Sequence, residues 1–100
     1  MNGRASDPSS GVTEAQVVIR NQLGLHARAC VEFVRVASRF KSQVMVARDD
    51  LEVNGKSILG VMMLAAEQGA TIRIRCEGED EVAVLAALVA LVENRFGEES

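Results

Sequence analysis

The segment TIRIRC at residues 71–76 alternates strictly between apolar and polar side chains, and it limits the fold more than any other feature. Ile72, Ile74 and Cys76 point to one face of an extended chain, while Thr and Arg side chains point to the other. A strand with one dry and one wet face is typical of an antiparallel sheet that is covered on one side only. Residues 15–20 (AQVVIR) alternate in the same way and predict a second strand.

Between these strands the apolar residues take up helical spacing. Residues 27–40 predict an amphipathic first helix whose buried side would carry Cys30, Phe33, Val34, Ala37 and Phe40. A short second helix follows, with Ser57 at its N-cap and an end near Gly69. Its inward residues would be Val61, Leu64 and Ala65.

The last helix is predicted to open with the acidic segment EDEV, because acidic residues in a first turn complement the helix dipole. Gly97 would close it. Its apolar stripe would comprise Leu85, Leu88, Val89, Val92 and Phe96.

Residues 43–48 and 51–54 predict a hairpin, since Asp49 and Asp50 between them suit a tight reversal. The element order is therefore βαββαβα. The apolar faces of the strands and helices can be buried against each other in an α+β fold. The sequence predicts an open-faced β-sandwich whose four-stranded antiparallel sheet carries three helices on one face.

The chain of 100 residues has room for one domain, predicted at residues 13–100, preceded by a disordered tail at residues 1–12. A net charge of −3 argues against nucleic acid as a partner. Two distant cysteines and one histidine exclude a structural zinc site and predict buried thiols in a reducing compartment. The start lacks a signal-type apolar segment and no later stretch is long enough to span a membrane, so a cytoplasmic location is expected.

His26, the only histidine, stands immediately before the first helix. The helix dipole there disfavours the imidazolium, so more of the ring stays neutral with a lone pair available for attack. The free backbone amides of Ala27 and Arg28 could receive a phosphoryl group carried by that ring. Arg28 adds a cation where its own helix gains nothing from one. A plain surface histidine and a solvated arginine remain the alternative interpretation.

The segments NQLGLHARACVEFVRVASRFKS and VNGKSILGVMMLAAEQGATIRIRCEGEDE resemble the HPr phosphocarrier family of the bacterial phosphoenolpyruvate-dependent phosphotransferase system. The resemblance covers about residues 14 to 97 and implies the same βαββαβα fold. It implies that His26 accepts a phosphoryl group on Nδ1 from enzyme I and passes it to enzyme IIA domains, with Arg28 assisting. The protein would then be a carrier with no cofactor or metal and no free turnover.

Ser57 matches the serine that a dedicated HPr kinase/phosphorylase modifies in some lineages of the family. Phosphate at an N-cap suits the helix but adds about two negative charges beside a docking surface, whereas a plain cap contributes about 1 kcal/mol. Both interpretations stay open. The resemblance also implies a monomer with an exposed apolar docking patch. Its members would be Val31, Arg35, Ile58, Leu59 and Met62.

The chain departs from the family where Ala29 follows the arginine, a position that usually holds proline. The absence of proline could loosen the site, since a proline in the first turn of a helix fixes its own φ angle. This departure leaves open a regulatory HPr-like protein, such as one of the nitrogen-related branch, that acts by phosphorylation-dependent binding. Cys30 is expected to be a packed thiol.

Two other classes are disfavoured by the residues. An RNA-binding module with the same element order stacks bases on strand aromatics, but all three phenylalanines are assigned to helices. A hydrolase needs a carboxylate positioned on its histidine, and the sequence indicates none.

Overall fold

The computed structural model describes residues 11–100, and these form one four-stranded antiparallel sheet packed against three helices. The strands lie in the order β1-β4-β2-β3. They are β1 (Val12–Val18), β2 (Gln43–Arg48), β3 (Leu51–Asn54) and β4 (Thr71–Glu77). The helices are α1 (Ala27–Ala37), α2 (Ile58–Met63) and α3 (Glu81–Glu93), followed by a short 3₁₀ turn (Arg95–Gly97). The predicted open-faced sandwich is confirmed.

The alternation in β4 determines which face of the sheet is covered. Ile72, Ile74 and Cys76 are fully buried, and Ile74 pairs with Ala15 on one side and Val46 on the other. The helices contribute their apolar sides to the same core, and its most completely buried helical residues are Ala29, Cys30, Phe33, Ala37, Val84, Leu88 and Val92.

The first strand begins earlier and ends earlier than predicted. Val12 already pairs with Glu77 in the ladder, and the carbonyl of Gly11 accepts a hydrogen bond from the Gly78 amide at 2.8 Å. The folded domain therefore includes two residues that were assigned to the tail. Arg20 is outside the strand, although the backbone of Ile19 still bonds to Gly69 and Ala70. Residues 1–10 of the predicted tail lie outside the described residues.

The first and last helices are both shorter than their apolar patterns suggested. Helix α1 ends at Ala37, and Phe40 packs against the core from the following turn. Helix α3 ends at Glu93, and Phe96 reaches the core with a φ of 54° from the 3₁₀ turn. Apolar spacing identified what these residues bury and overestimated how far the helices extend.

Helix α2 ends at Met63, well before Gly69, because the backbone turns into the left-handed region two residues later. Ala65 adopts a φ of 48° and is exposed, contrary to the expectation that it faces inward. The guanidinium of Arg48 donates to the carbonyls of Leu64 and Ala65 at 3.2 and 2.8 Å. It also forms an ion pair with Glu67 at 2.8 Å.

Asp80 fastens the start of α3 to the connection between α1 and β2. Its carboxylate accepts hydrogen bonds from the backbone amides of Lys41 and Ser42, each at 2.9 Å, and from the Ser42 hydroxyl. The hydroxyl bond of Ser42, followed by the amide bond of Lys41, lowers the pKa of Asp80 from 3.8 to about 2. The ionised form is therefore favoured by folding.

Replacing Asp80 by Asn should lower stability and flatten its acid dependence. Because the folded-state pKa is depressed, the contribution of Asp80 is complete above 3.8 and is lost as pH falls to about 2. Urea unfolding at a series of pH values should therefore show a gap in the free energy of unfolding between wild type and Asp80→Asn. This gap should narrow as pH falls across this interval. Glu79→Gln, the same charge change at the exposed neighbouring position, is the control. A gap that persists unchanged at pH 2 would contradict the assignment.

Candidate functional site

His26 is the N-cap residue of α1, with an extended backbone at φ −72° and ψ 174°. Its ring makes no capping hydrogen bond to the helix, so the side chain is available for other contacts. The side chain is 27% exposed and lines an open cleft. The cleft is lined by Gln22, Leu23, His26, Arg28, Glu98 and Ser100.

The loop before His26 lies tightly against the segment after α2. Gly24 has a φ of 68°, and a Cβ at this position would lie 2.6 Å from the carbonyl oxygen of Ala66. The neighbouring amide of Leu25 donates to the same oxygen at 2.9 Å. Glycine is required here by both conformation and space, and its presence fixes where His26 begins the helix.

The amino end of α1 presents free backbone amides beside the histidine. The first amide with an acceptor in the helix is that of Cys30, which donates to the His26 carbonyl at 3.0 Å. The amides of Ala27, Arg28 and Ala29 precede it and have no acceptor within the helix. Arg28 is exposed in the same cleft, and none of the salt bridges within residues 11–100 engages it. The structure therefore brings together an imidazole, free amides and an uncommitted cation.

A carboxylate that the sequence did not reveal completes this cleft. Glu98 accepts a hydrogen bond from Nε2 of His26 and another from Nδ2 of Asn21 at 3.0 Å. Burial of the Glu98 carboxyl acts to raise its pKa, but hydrogen bonds from His26 and Asn21, with the charges of His26 and Arg28, lower it overall. The expectation that His26 has no positioned carboxylate is therefore wrong.

The chain path at the carboxyl end explains why Glu98 was missed. Arg95, Phe96 and Gly97 all have positive φ values, of 57°, 54° and 82°. This run of left-handed residues turns the chain back across the loop before α1, which brings residues 72 positions apart into contact. No local pattern in the sequence encodes such a contact.

Ser57 occupies the N-cap of α2, as predicted. Its hydroxyl accepts a hydrogen bond from the Gly60 amide at 3.0 Å. The predicted packed thiols are also confirmed, since Cys30 and Cys76 are fully buried. Burial raises the pKa of both thiols, that of Cys76 to about 11, so neither is a nucleophile at neutral pH.

The residues assigned to docking are exposed to different degrees. Leu59 is 75% exposed, and Ile58 and Met62 are each 40% exposed. On α1, Val31 is half-buried, and Arg35 is exposed but pairs with Glu32 at 3.2 Å. Two further apolar residues near these elements, Leu23 and Met63, are also exposed and were not predicted from the sequence.

The disfavoured classes gain no support from the described residues. Strands β1 to β4 carry no aromatic side chain on which a base could stack. Phe40 and Phe96 lie in turns, so their predicted placement in helices is wrong. Neither lies on a strand, however, so the case against an RNA-binding module is unchanged. The hydroxyl of Ser100 lines the cleft and donates to Gln22, so within residues 11–100 no hydroxyl nucleophile is bonded to His26.

Neither a metal centre nor a membrane-spanning helix occurs in the described part of the chain. No group of three or more His, Cys, Asp or Glu residues there could hold a metal ion. None of its helices combines the length and the apolar character needed to cross a bilayer.

Comparison with known proteins places the whole folded unit in one family. The family model described as "PTS HPr component phosphorylation site" matches residues 13–94. A phosphocarrier protein HPr of Xylella fastidiosa is 48% identical over 87% of this chain and 98% of its own length. One of Pseudomonas aeruginosa is 51% identical over 83% of this chain and 93% of its own.

The solved structures agree with the sequence comparison. The crystal structure of an HPr from Thermoanaerobacter tengcongensis superposes with a TM-score of 0.85 and 45% identity. It covers 88% of this chain and 99% of that chain.

The open-faced sandwich and the matched model together define a phosphocarrier of the phosphotransferase system, which carries a group rather than catalysing a reaction. More particularly, the chain belongs to the HPr family.

Proposed function

We propose that this protein accepts a phosphoryl group on Nδ1 of His26 from phosphorylated enzyme I and delivers it to enzyme IIA domains of the sugar phosphotransferase system. The observation that carries the proposal is the position of His26. Its ring makes no capping hydrogen bond, lies in an open cleft and adjoins three amides that have no acceptor within the helix. Arg28 would offset the phosphoryl charge, and the amides of Ala27 and Arg28 would bind its oxygens. The relay would operate in the cytoplasm as a monomer.

The half-reaction needs no group beyond the two proteins. The Nδ1 lone pair forms the new N–P bond, and the bond from phosphorus to the donor nitrogen breaks with its electron pair leaving on the donor. The carrier is then returned to its starting state by a second partner. Each step is completed in the active site of a partner, which agrees with the position of His26 in an open cleft that a partner surface can reach.

The relay is tested by following one phosphoryl group through two transfers. Incubation with enzyme I, Mg²⁺ and labelled phosphoenolpyruvate should place an acid-labile label on the wild-type chain. Addition of an enzyme IIA domain should then move that label onward. A chain that takes no label would overturn the proposal, and a chain that takes label but passes it to no IIA domain would favour the regulatory alternative.

That alternative is a regulatory HPr-like protein that binds partners according to its phosphorylation state. The presence of Ala29 favours it, since this residue stands in the first turn of α1 where the family usually has proline. Ser57 offers a second route, because phosphate on its hydroxyl would replace the Gly60 capping bond with a larger charge at the edge of the docking patch. An HPr kinase/phosphorylase would be the partner in that case.

We expect partner binding to depend on the apolar patch formed by Ile58, Leu59 and Met62, with Val31 and Arg35 from α1. Leu59→Ser should raise the KM for enzyme I about tenfold, because an exposed anchor at the centre of a small interface carries much of the binding energy. Val82→Ser is the matched control, since Val82 is 66% exposed and lies on α3 near the opposite end of α1 from His26. Equal KM values for the two variants would exclude Leu59 from the interface.

A further inference from the structure

The ring nitrogen of His26 that faces away from the proposed chemistry is already occupied. Nε2 contacts a carboxylate oxygen, Oε2, of Glu98. The hydrogen bonds of this ring within residues 11–100 involve Nε2 only. The two nitrogens of the imidazole are therefore in different environments, and the difference is imposed by a residue at the far end of the chain.

Asn21 holds the Glu98 carboxylate in place. The Asn21 side chain is completely buried, and its Nδ2 donates both to the carbonyl of Gly24 at 2.8 Å and to Oε1 of Glu98 at 3.0 Å. One amide group thus joins the loop before α1 to the carboxyl-terminal segment. With Oε1 engaged by Asn21, the other oxygen is directed at the ring.

The charge state of Glu98 bears on which group donates in the hydrogen bond between His26 and Glu98. Burial works against ionisation of this carboxyl, but the hydrogen bonds from His26 and Asn21 and the nearby charges lower its pKa overall. An ionised carboxylate can only accept hydrogen bonds. In this geometry Nε2 is the donor to Oε2 of Glu98, and in the neutral ring the lone pair then lies on Nδ1.

We propose that Glu98, held by Asn21, is a positioning residue for phosphoryl transfer, which fixes the His26 tautomer with Nδ1 unprotonated and balances the charge of the phosphorylated ring. The inference rests on the proposed phosphocarrier function of His26. It adds two residues, from opposite ends of the chain, to the site.

The proton balance explains why a carboxylate is useful here. When the Nδ1 lone pair forms the N–P bond, the proton on Nε2 stays in place, so the ring becomes a cation that faces Glu98. The bond to the donor nitrogen breaks with its electron pair, and the donor keeps that pair. In the second transfer the N–P electron pair returns to Nδ1 and the ring is again neutral with its proton on Nε2.

The tautomer is tested on the unphosphorylated protein by long-range ¹H–¹⁵N correlation spectra of the His26 ring. At about pH 8.5, where an ordinary imidazole is neutral, wild type should show the proton on Nε2 alone. In Glu98→Gln the two ring ¹⁵N shifts should move towards each other, because the Gln amide can present either an acceptor or a donor to the ring. Glu99→Gln, the same charge change on the adjacent exposed residue, should match wild type.

The kinetic consequence is tested by rapid phosphorylation with enzyme I and phosphoenolpyruvate. Glu98→Gln should lower kcat about tenfold with little change in KM, since charge-assisted hydrogen bonds are roughly twice as strong as neutral ones and the docking surface is untouched. Glu99→Gln should stay within about twofold of wild type in both constants.

Unchanged ring shifts and kcat in Glu98→Gln would overturn the proposal, as would an equal slowing in Glu99→Gln. A change in KM alone would also overturn it, because it would assign Glu98 to docking. If wild type takes no label, the proposed function fails, whereas the ring spectra still decide whether Glu98 fixes the tautomer.

Discussion

His26→Ala is expected to take up no acid-labile phosphoryl label from enzyme I and phosphoenolpyruvate, while the protein remains folded. The substitution removes the only imidazole in the chain, and no other side chain near the cleft can replace it. The Cys30 thiol is fully buried with a raised pKa, and Ser57 is engaged as a helix cap. Label uptake should fall to the background measured without enzyme I.

Stability should change little in this variant, since the lost hydrogen bond to Glu98 is part-exposed and Glu98 keeps its bond from Asn21. Circular dichroism and a urea midpoint close to wild type would establish that the loss is chemical. Arg28→Ala provides the graded comparison, because it keeps the nucleophile and removes only a charge, so labelling should continue at a rate lowered by at least about tenfold. Label on His26→Ala would place the phosphoryl group on another residue and end the present assignment.

Phe33→Ala is expected to cost about 3–5 kcal/mol of unfolding free energy. Phe33 is fully buried in α1 and is the largest of the completely buried side chains. Domains of this size have a total stability of about 5–15 kcal/mol, so the variant should be partly unfolded at moderate temperature. Total phosphoryl uptake should fall in proportion to the folded fraction, because His26 and Arg28 are in place only while α1 is folded.

Urea unfolding should show a lower midpoint with an unchanged slope, and Phe33→Leu should lose markedly less than Phe33→Ala because it leaves a smaller cavity. Phosphoryl uptake per folded molecule should remain near that of wild type, since no group in the cleft is altered. A loss below about 1 kcal/mol would show that the core closes around the missing ring and that Phe33 is not central to it.

Two residues of the candidate site, His26 and Arg28, could be predicted from the sequence, and two others, Asn21 and Glu98, could not. His26 and Arg28 could be found because a local pattern, a glycine and then the start of an amphipathic helix, places both at a helix terminus. Asn21 and Glu98 could not, since their contact depends on three left-handed residues at 95–97 and on a path that closes over 77 positions.

Helix ends were the other point at which sequence reasoning failed. In α2, the pattern of apolar residues continues past Met63, but the backbone becomes left-handed at Ala65, and bonds from Arg48 to the carbonyls of Leu64 and Ala65 stabilise this turn. Arg48 comes from a strand, so a group that stabilises the end of α2 lies in another element. The inward placement of Val61 and Leu64 was nonetheless correct.

The sequence by itself determined the strands, the order of the elements and the buried face of the sheet, because the periods of two and of about 3.6 residues are local properties of the chain. Only the tertiary structure decided how α2 ends and which carboxylate meets the histidine. Both depend on hydrogen bonds between groups distant in sequence, Arg48 with the end of α2 and Glu98 with Asn21 and His26. Such bonds exist only once the whole chain has packed.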